Sequence, residues 1–299
     1  MPPSDKPIAN FISISAGNGG GSVDSCSLGM SSIAPNVFTT LTVGSGAVQT
    51  TKDVSFNLVL SMALMQTDEL QISFSSAFTL SAMSTTGSVA VSGLGSFSMT
   101  RIGSLIKLTP SISQPISNAT LPFTLSNITL PFSVASAPIY LSLLTYDNYY
   151  RINQTYLYQA NPGVLTASVS CLSYEIGVST SCLFSITTSS ALYSDAVIEF
   201  VFDSSFPILD GSSTCTLTGT NLVSSTACTS FSSTSTIRAI NINSTNANFP
   251  AMNLTVNLSM TASRAVGAHA VAVRSLAGGS VVDAGSVTIT TVARGLNSG

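Results

Sequence analysis

The chain has 299 residues, of which 44% are hydrophobic and only 7% charged, with a formal net charge of -3. Its nine Lys and Arg form no cluster, which excludes the phosphate-tracking surface of a nucleic-acid binder, and Ser, Thr or Asn interrupts every apolar run well short of the ~20 residues of a membrane-spanning helix. The length allows two domains with separate cores, and hydroxyls stand where an ordinary soluble domain, about a quarter charged, places charges.

Pro7 to Ser15 opens the chain as a β-strand, with Ile8, Ile12 and Ile14 at even spacing and Asn10, Ser13 and Ser15 polar. Gly17-Asn18-Gly19-Gly20-Gly21 follows. It reads as a flexible linker and not as a phosphate loop, since it lacks the Gly-Lys-Ser/Thr ending and no helical period follows. A strand tethered this loosely is expected to complete a sheet in a neighbouring copy, with Ile8, Phe11, Ile12 and Ile14 entering that sheet's core. The other reading is an extra edge strand on its own first domain.

Beyond it, short β-branched, aliphatic and aromatic runs recur about every ten residues, broken by Gly, Pro, Asn and Ser. The first set is Phe38–Val43, Val54–Met62, Leu70–Phe74, Val89–Val91, Phe97–Leu108, Phe123–Phe132 and Ile139–Tyr146. The second is Val164–Val169, Cys182–Thr187, Ala196–Phe202, Thr214–Leu217, Thr236–Ile242, Met252–Met260, Ala268–Arg274 and Ser286–Val292.

The two sets are copies. Gln71 to Leu80 lies over Glu199 to Ile208, keeping every aromatic or aliphatic position except Ser73 against Val201, and Leu105 to Leu108 resembles Thr236 to Ile240. Leu125–Leu130 further aligns with Leu254–Ser259, Ile139–Leu144 with Ala268–Val273, and Ile152-Asn153 with Val282-Asp283. About seven strands per copy predict an all-β protein of two tandem immunoglobulin-like sandwiches. The expected division is 1–22 for the strand and linker, 23–160 for the first sandwich and 161–299 for the second.

Within Leu121 to Phe132 the apolar positions are odd up to Leu125 and even from Ile128. That change of phase predicts a bulge, and Pro122 and Pro131, which cannot donate to a ladder, predict an edge strand.

Five cysteines suggest disulfides in an oxidising compartment. Cys171 with Cys182, and Cys215 with Cys228, read as local hairpin bridges; Cys26 is left over, to pair with one of these, stay a buried thiol or bond another subunit. Six Asn-x-Ser/Thr acceptors occur, at Asn118, Asn127, Asn153, Asn243, Asn253 and Asn257. Leu254, Val256, Leu258 and Met260 share one strand face, which turns Asn253 and Asn257 to solvent. Met1 to Lys6 lacks the apolar core of a signal peptide, so the expectation is a secreted, glycosylated protein whose signal lies outside this sequence.

Catalytic chemistry finds little footing. His269, the sole histidine, sits in an alternating strand and reads as a structural residue. Asp68, Glu69, Asp195, Glu199, Asp203 and Asp210 could supply paired carboxylates but fall mostly at strand ends and turns, and Asp203 with Asp210 is a thin calcium signal. No Cys-x-x-Cys occurs and no cofactor is implied. Tyr146, Tyr149, Tyr150, Tyr156 and Tyr158, with Arg151, form either a sugar platform or, more plainly, packing between the domains.

The short strand followed by spaced phenylalanines, the Cys215…Cys228 hairpin and Leu143-Leu144-Thr145-Tyr146-Asp147 before Ile152-Asn153 resemble the tandem Ig-like repeats of large secreted surface proteins in protists, from about residue 38 onward. The first copy departs from that pattern in lacking the cysteine pair. Separately, the first strand resembles the donor strands of pilus and other fibre subunits, in which a neighbour's strand fills a gap in an incomplete Ig-like sheet. The resemblances imply a structural subunit of an extracellular helical fibre that polymerises with itself and carries glycans. The alternative is a monomeric cell-surface adhesion or carbohydrate-binding module.

Overall fold

The computed structural model describes residues 12–17, 22–28, 38–60, 63–145, 150–192, 195–211, 214–219, 227–240 and 253–295. Among these there is no α-helix, and the protein is all-β: two immunoglobulin-like sandwiches preceded by a separate strand pair. The compact units are Met1–Ser45, Thr51–Thr129 and Ser136–Tyr158 for the first, and Gly46–Thr50, Leu130–Ala135 and Gln159–Gly299 for the second.

The opening strand has a partner in its own chain. β1 (Ile12–Gly17) runs antiparallel to β2 (Ser22–Leu28), from Ile12 opposite Leu28 to Gly17 opposite Ser22, as a two-stranded sheet of its own. This corrects the expectation of a strand cut loose by its glycines: the strand pairs along its whole described length within its own chain. Cys26 lies in β2 opposite Ile14, while Ile8 and Phe11 fall outside the described residues.

In the first unit, β3 (Phe38–Val43), β4 (Thr51–Leu60) and β9 (Thr120–Thr129) make one sheet, in that order. The facing sheet is ordered β11 (Tyr150–Tyr158), β10 (Ala137–Thr145), β5 (Glu69–Phe74), β8 (Leu105–Pro110), β7 (Gly95–Ile102) and β6 (Thr86–Val91). Strict alternation drives the assembly. In β4, Val54, Phe56, Leu58 and Leu60 are buried while Ser55 and Asn57 are exposed. Phe56 stacks on Phe123 at 5.2 Å and meets Phe74 edge-on at 6.3 Å. Burying each such ring is worth on the order of 1.5–3 kcal/mol.

The bulge and edge read from the sequence are present. β9 buries Leu121, Phe123 and Leu125, then Ile128. Its pairing with β4 slips between Lys52 and Val54, and Asn127 takes φ 60°, its N–H donating to Asp53 Oδ1 at 3.2 Å. β9 is the outer strand of its sheet.

The second unit carries nine strands in one continuous order: β15 (Thr214–Gly219), β18 (Asn253–Thr261), β13 (Ser179–Thr188), β12 (Gly163–Cys171), β20 (Ser280–Thr291), β19 (Gly267–Ala277), β14 (Val197–Val201), β17 (Thr236–Ile240) and β16 (Ala227–Phe231). Its two layers join where β12 runs parallel to β20, Gly163 beside Asp283 and Val164 beside Ala284. Phe184, Phe200, Ile237, Val256, Leu258, Val271 and Val273 form the centre of its core.

The repeat is visible in the ring geometry: Phe74–Phe78 and Phe202–Phe206 both stand at 5.1 Å. Register also corrects two of the sequence alignments. Phe123 opposes Phe56 as Val256 opposes Phe184, so Leu125 corresponds to Leu258 and not to Leu254. Leu141 opposes Ile72 as Val273 opposes Phe200, so Ile139 corresponds to Val271 and not to Ala268.

Candidate functional site

The second unit holds the constellation most like a catalytic one. His269 on β19 is 8% exposed; its Nδ1 lies 2.8 Å from Asp203 Oδ2 and 3.2 Å from Ser205 Oγ. Its Nε2 lies 2.9 Å from the Ala265 carbonyl and 3.2 Å from Thr291 Oγ1. In a Ser-His-Asp triad one imidazole nitrogen holds the carboxylate and the other faces the nucleophile. Here serine and carboxylate crowd one nitrogen, and the other is fastened to a main-chain oxygen. His269 therefore ties the loop after β14 to the turn before β19 and to the end of β20. Ser205 N–H donates to Asp203 Oδ1 at 2.8 Å, and Ser205 and Ser263 hydroxyls meet at 2.6 Å.

Burial opposes ionisation of Asp203, but the Ser205 hydroxyl and amide, then His269, outweigh it and hold the carboxyl below the usual aspartate value. A depressed carboxyl contributes stability above its unfolded pKa of about 3.9 and loses it as pH falls through the lower folded value. Urea midpoints of wild type and Asp203→Asn should thus differ most above about pH 5 and converge in acid. A gap that does not change with pH would contradict this lock.

The remaining carboxylates each serve their own neighbourhood. Asp68 Oδ2 accepts the Met65 N–H at 2.8 Å, Asp195 Oδ2 accepts Gly278 N–H at 2.6 Å, and Asp210 Oδ1 accepts Ser232 N–H at 2.6 Å. Glu69 pairs with Lys107 at 3.1 Å. Glu199 is buried between its two cross-strand neighbours, Arg238 at 2.8 Å and Arg274 at 3.5 Å. Among the described residues no three His, Cys, Asp or Glu side chains gather as metal ligands.

The disulfides among the described residues are both local to the second unit: Cys171–Cys182 joins β12 to β13, and Cys215–Cys228 joins β15 to β16. Asn118, Asn127, Asn153, Asn253 and Asn257 are exposed, and Asn243 lies outside the described residues. Thr187 Oγ1 donates to Asn253 Oδ1 at 2.6 Å, and Ser181 Oγ donates to Asn257 Oδ1. Each amide is thereby held by its oxygen. Of the tyrosines, Tyr158 is buried against Phe78 at 5.4 Å inside the first unit, Tyr156 is half-buried, and Tyr146 and Tyr149 fall outside the described residues.

One large concavity is a feature the sequence did not announce. On the flank of the first unit, between β9 and the β6–β7 hairpin, lies a cleft of about 1090 Å³. β3 and β4 contribute to it beside them, its lining includes Ser55, Asn57, Ala90, Ser96, Pro122 and Thr124, the Phe56 and Phe123 rings behind it belong to the core, and no charged residue lines it. A second cavity of about 200 Å³ follows the same gap, between β6 and Thr124–Asn127.

No family model and no curated protein matches this chain. Among solved structures, the C-terminal domain of the antigen I/II-family protein AspA of Streptococcus pyogenes aligns over 86% of this chain and 100% of its own, at 8% identity and a TM-score of 0.33. The serine-rich repeat adhesion glycoprotein Srr1 of Streptococcus agalactiae aligns over 86% and 97%, at 10% identity and 0.28. A type I cohesin of Pseudobacteroides cellulosolvens covers 46% of this chain and 97% of its own, at 9% identity and 0.29. These proteins are bacterial, whereas the sequence resemblance was to protist repeats. At such TM-scores the likeness carries no conclusion about this chain.

The cleft was not legible in the sequence because its Ser, Thr, Asn and Gly lining reads as ordinary turn and solvent face. One signal was legible. The prolines and phase change around β9 marked an edge strand, and the cleft lies along that edge.

Proposed function

We propose that this chain is an extracellular, non-catalytic surface module of the adhesion type, which binds through the open flank of its first sandwich. Two disulfides call for an oxidising compartment, and the exposed Asn-x-Ser/Thr acceptors suit a secreted, glycan-bearing surface. The observation that carries the reading is the cleft: a concavity lined by the hydroxyls of Ser55, Ser96 and Thr124, the Asn57 amide and the apolar groups of Ala90 and Pro122, without charge, fits a neutral ligand such as an oligosaccharide or an extended peptide. Labelled protein on an array of defined oligosaccharides and immobilised copies of itself tests it. Ser96→Arg with Thr124→Arg, both at the rim, should lower binding about tenfold or more. Undiminished binding by that variant, or no binding by wild type to either surface, would overturn the reading.

A second reading, a fibre subunit that polymerises through its N-terminal strand, is favoured by one observation. β1 and β2 stand as a sheet of two strands, a ribbon that is marginal alone in water, so the outer edge of β1 invites a third strand.

A further inference from the structure

In a chain with only nine Lys and Arg, two arginines of the second unit converge on one carboxylate. On β14, Ile198 and Phe200 enter the core, which turns Glu199 to the other face of the sheet. Arg238 of β17 and Arg274 of β19 stand across from it, one on each side. The two are not equal partners. Arg238 donates to Glu199 Oε1 from Nε at 2.9 Å and lies 2.8 Å from it through Nη2, with its guanidinium over the Phe231 ring at 5.3 Å. Arg274 reaches Oε2 only through Nη1, at 3.5 Å, and its side chain is 42% exposed. Arg238 by itself neutralises Glu199. Arg274 is a cation in excess, and among the described residues no other side chain engages its five N–H donors.

The excess charge has a cavity to face. Arg274 lines a hollow of about 520 Å³ whose walls all come from the second unit, a volume within the range of roughly 300–1,000 Å³ usual for small-ligand sites. The Gln159 and Asn161 amides supply the rest of its polar wall, and Val134, Pro162 and Val281 its apolar part. Among the described residues no carboxylate lines it. The main chain around it is already committed. Val134 N–H donates to the Val281 carbonyl at 2.9 Å, Asn161 N–H to the Gly46 carbonyl at 2.8 Å, and the Asn161 carbonyl accepts Val48 N–H at 2.8 Å. Arg274 and Ala284 oppose each other in the β19–β20 ladder. An extended peptide, which docks through main-chain bonds, finds those groups taken, so recognition falls to side chains.

We infer that this hollow binds a sugar acid, a hexuronate-type unit whose carboxylate is held by Arg274 and whose neighbouring hydroxyls meet Gln159 and Asn161. A guanidinium fork matches the two oxygens of a carboxylate. Each amide offers both donors and an acceptor, as a hydroxyl requires, and the apolar wall suits the C–H face of a sugar ring. A phosphomonoester, close to doubly charged at neutral pH, would leave one charge without a partner, and a neutral sugar would leave Arg274 without one. The site is separate from the cleft of the first unit, whose lining carries no charge, and does not depend on it.

Saturation-transfer NMR titrations of the full chain test this. The probes are the methyl glycosides of glucuronic and galacturonic acid, their neutral counterparts methyl glucoside and methyl galactoside, and N-acetylglutamate amide as a peptide acid. At least one uronide should bind about tenfold or more tightly than its neutral counterpart, and Arg274→Gln should remove that advantage. Ser96→Arg with Thr124→Arg, at the distant cleft, should leave it intact. Equal binding of acid and neutral sugar, no binding of either uronide, or an advantage that survives Arg274→Gln would overturn the site. N-acetylglutamate amide bound as tightly as the uronides would overturn the sugar assignment. Arg274→Gln leaves Glu199 its bonds to Arg238. Should that variant fail to fold, Arg274→Lys, which keeps the charge without the fork, and Gln159→Ala decide by the same comparison, each expected to weaken uronide binding severalfold.

Discussion

Gly285→Ala is expected to unfold the second sandwich or cost it more than about 3 kcal/mol, among the largest effects of any single methyl group in this chain. A Cβ at Gly285 would stand 1.9 Å from the Leu165 carbonyl oxygen, a main-chain atom that cannot swing aside. The site is the junction where β12 and β20 run parallel and the two layers of the second unit become one sheet. Gly163 answers from the other strand: its Cβ would lie 2.0 Å from Asp283 Oδ1. That carboxylate is fully buried and accepts Ser190 Oγ at 2.6 Å, Ser189 Oγ at 3.0 Å and Ser190 N–H at 3.2 Å. Urea unfolding of Gly285→Ala beside Gly295→Ala compares a crowded glycine with an open one, since nothing lies within 4 Å of a Cβ at Gly295. Equal midpoints for Gly285→Ala and wild type would contradict the close approach.

Phe56→Ala should destabilise the first sandwich by about 3–5 kcal/mol. The ring is 1% exposed, lies parallel to Phe123 within 7° and meets Phe74 edge-on, so truncation removes two aromatic contacts and leaves a hole that the facing sheet fills only in part. Phe56 also lies behind the cleft, and collapse of its neighbours into the hole would deform the cleft wall. Thermal unfolding followed by near-ultraviolet dichroism measures the loss. A change below about 1 kcal/mol would mean that the ring is less tightly held than its burial implies.

Much of the layout was legible because alternation is a strong signal wherever one face is buried. Met252–Met260 named the right face of β18: Leu254, Val256, Leu258 and Met260 are buried, Asn253 and Asn257 exposed. The phase change between Leu125 and Ile128 located a bulge to within a residue or two. Where side chains were small the signal faded. In Ala268-His269-Ala270-Val271-Ala272 the alanines sit on the outer or half-covered face and His269 on the inner one, so hydrophobicity alone placed the strand out of phase with its counterpart.

Turns hid in a similar way. Phe97–Leu108 read as one strand, yet Gly103 at φ 62° turns the chain between β7 and β8, inside an otherwise unbroken run of β-formers. β11 and β16 were not foreseen as strands, the first interrupted by Arg151, Asn153 and Gln154, the second only five residues of Ala-Cys-Thr-Ser-Phe. The open flank was hidden for another reason: it depends on which neighbour β6 chooses, a pairing decision that strand patterns do not encode.

The most direct measurement is amide hydrogen exchange with and without the oligosaccharide or peptide that the array selects. If the cleft of the first sandwich is where this chain binds, the amides of Gly93, Gly95 and Ser96 along its wall gain protection when the ligand is added, while those of Val256 and Leu258 in the second unit change little. Exchange along the cleft that never responds to a ligand the protein binds would contradict the account.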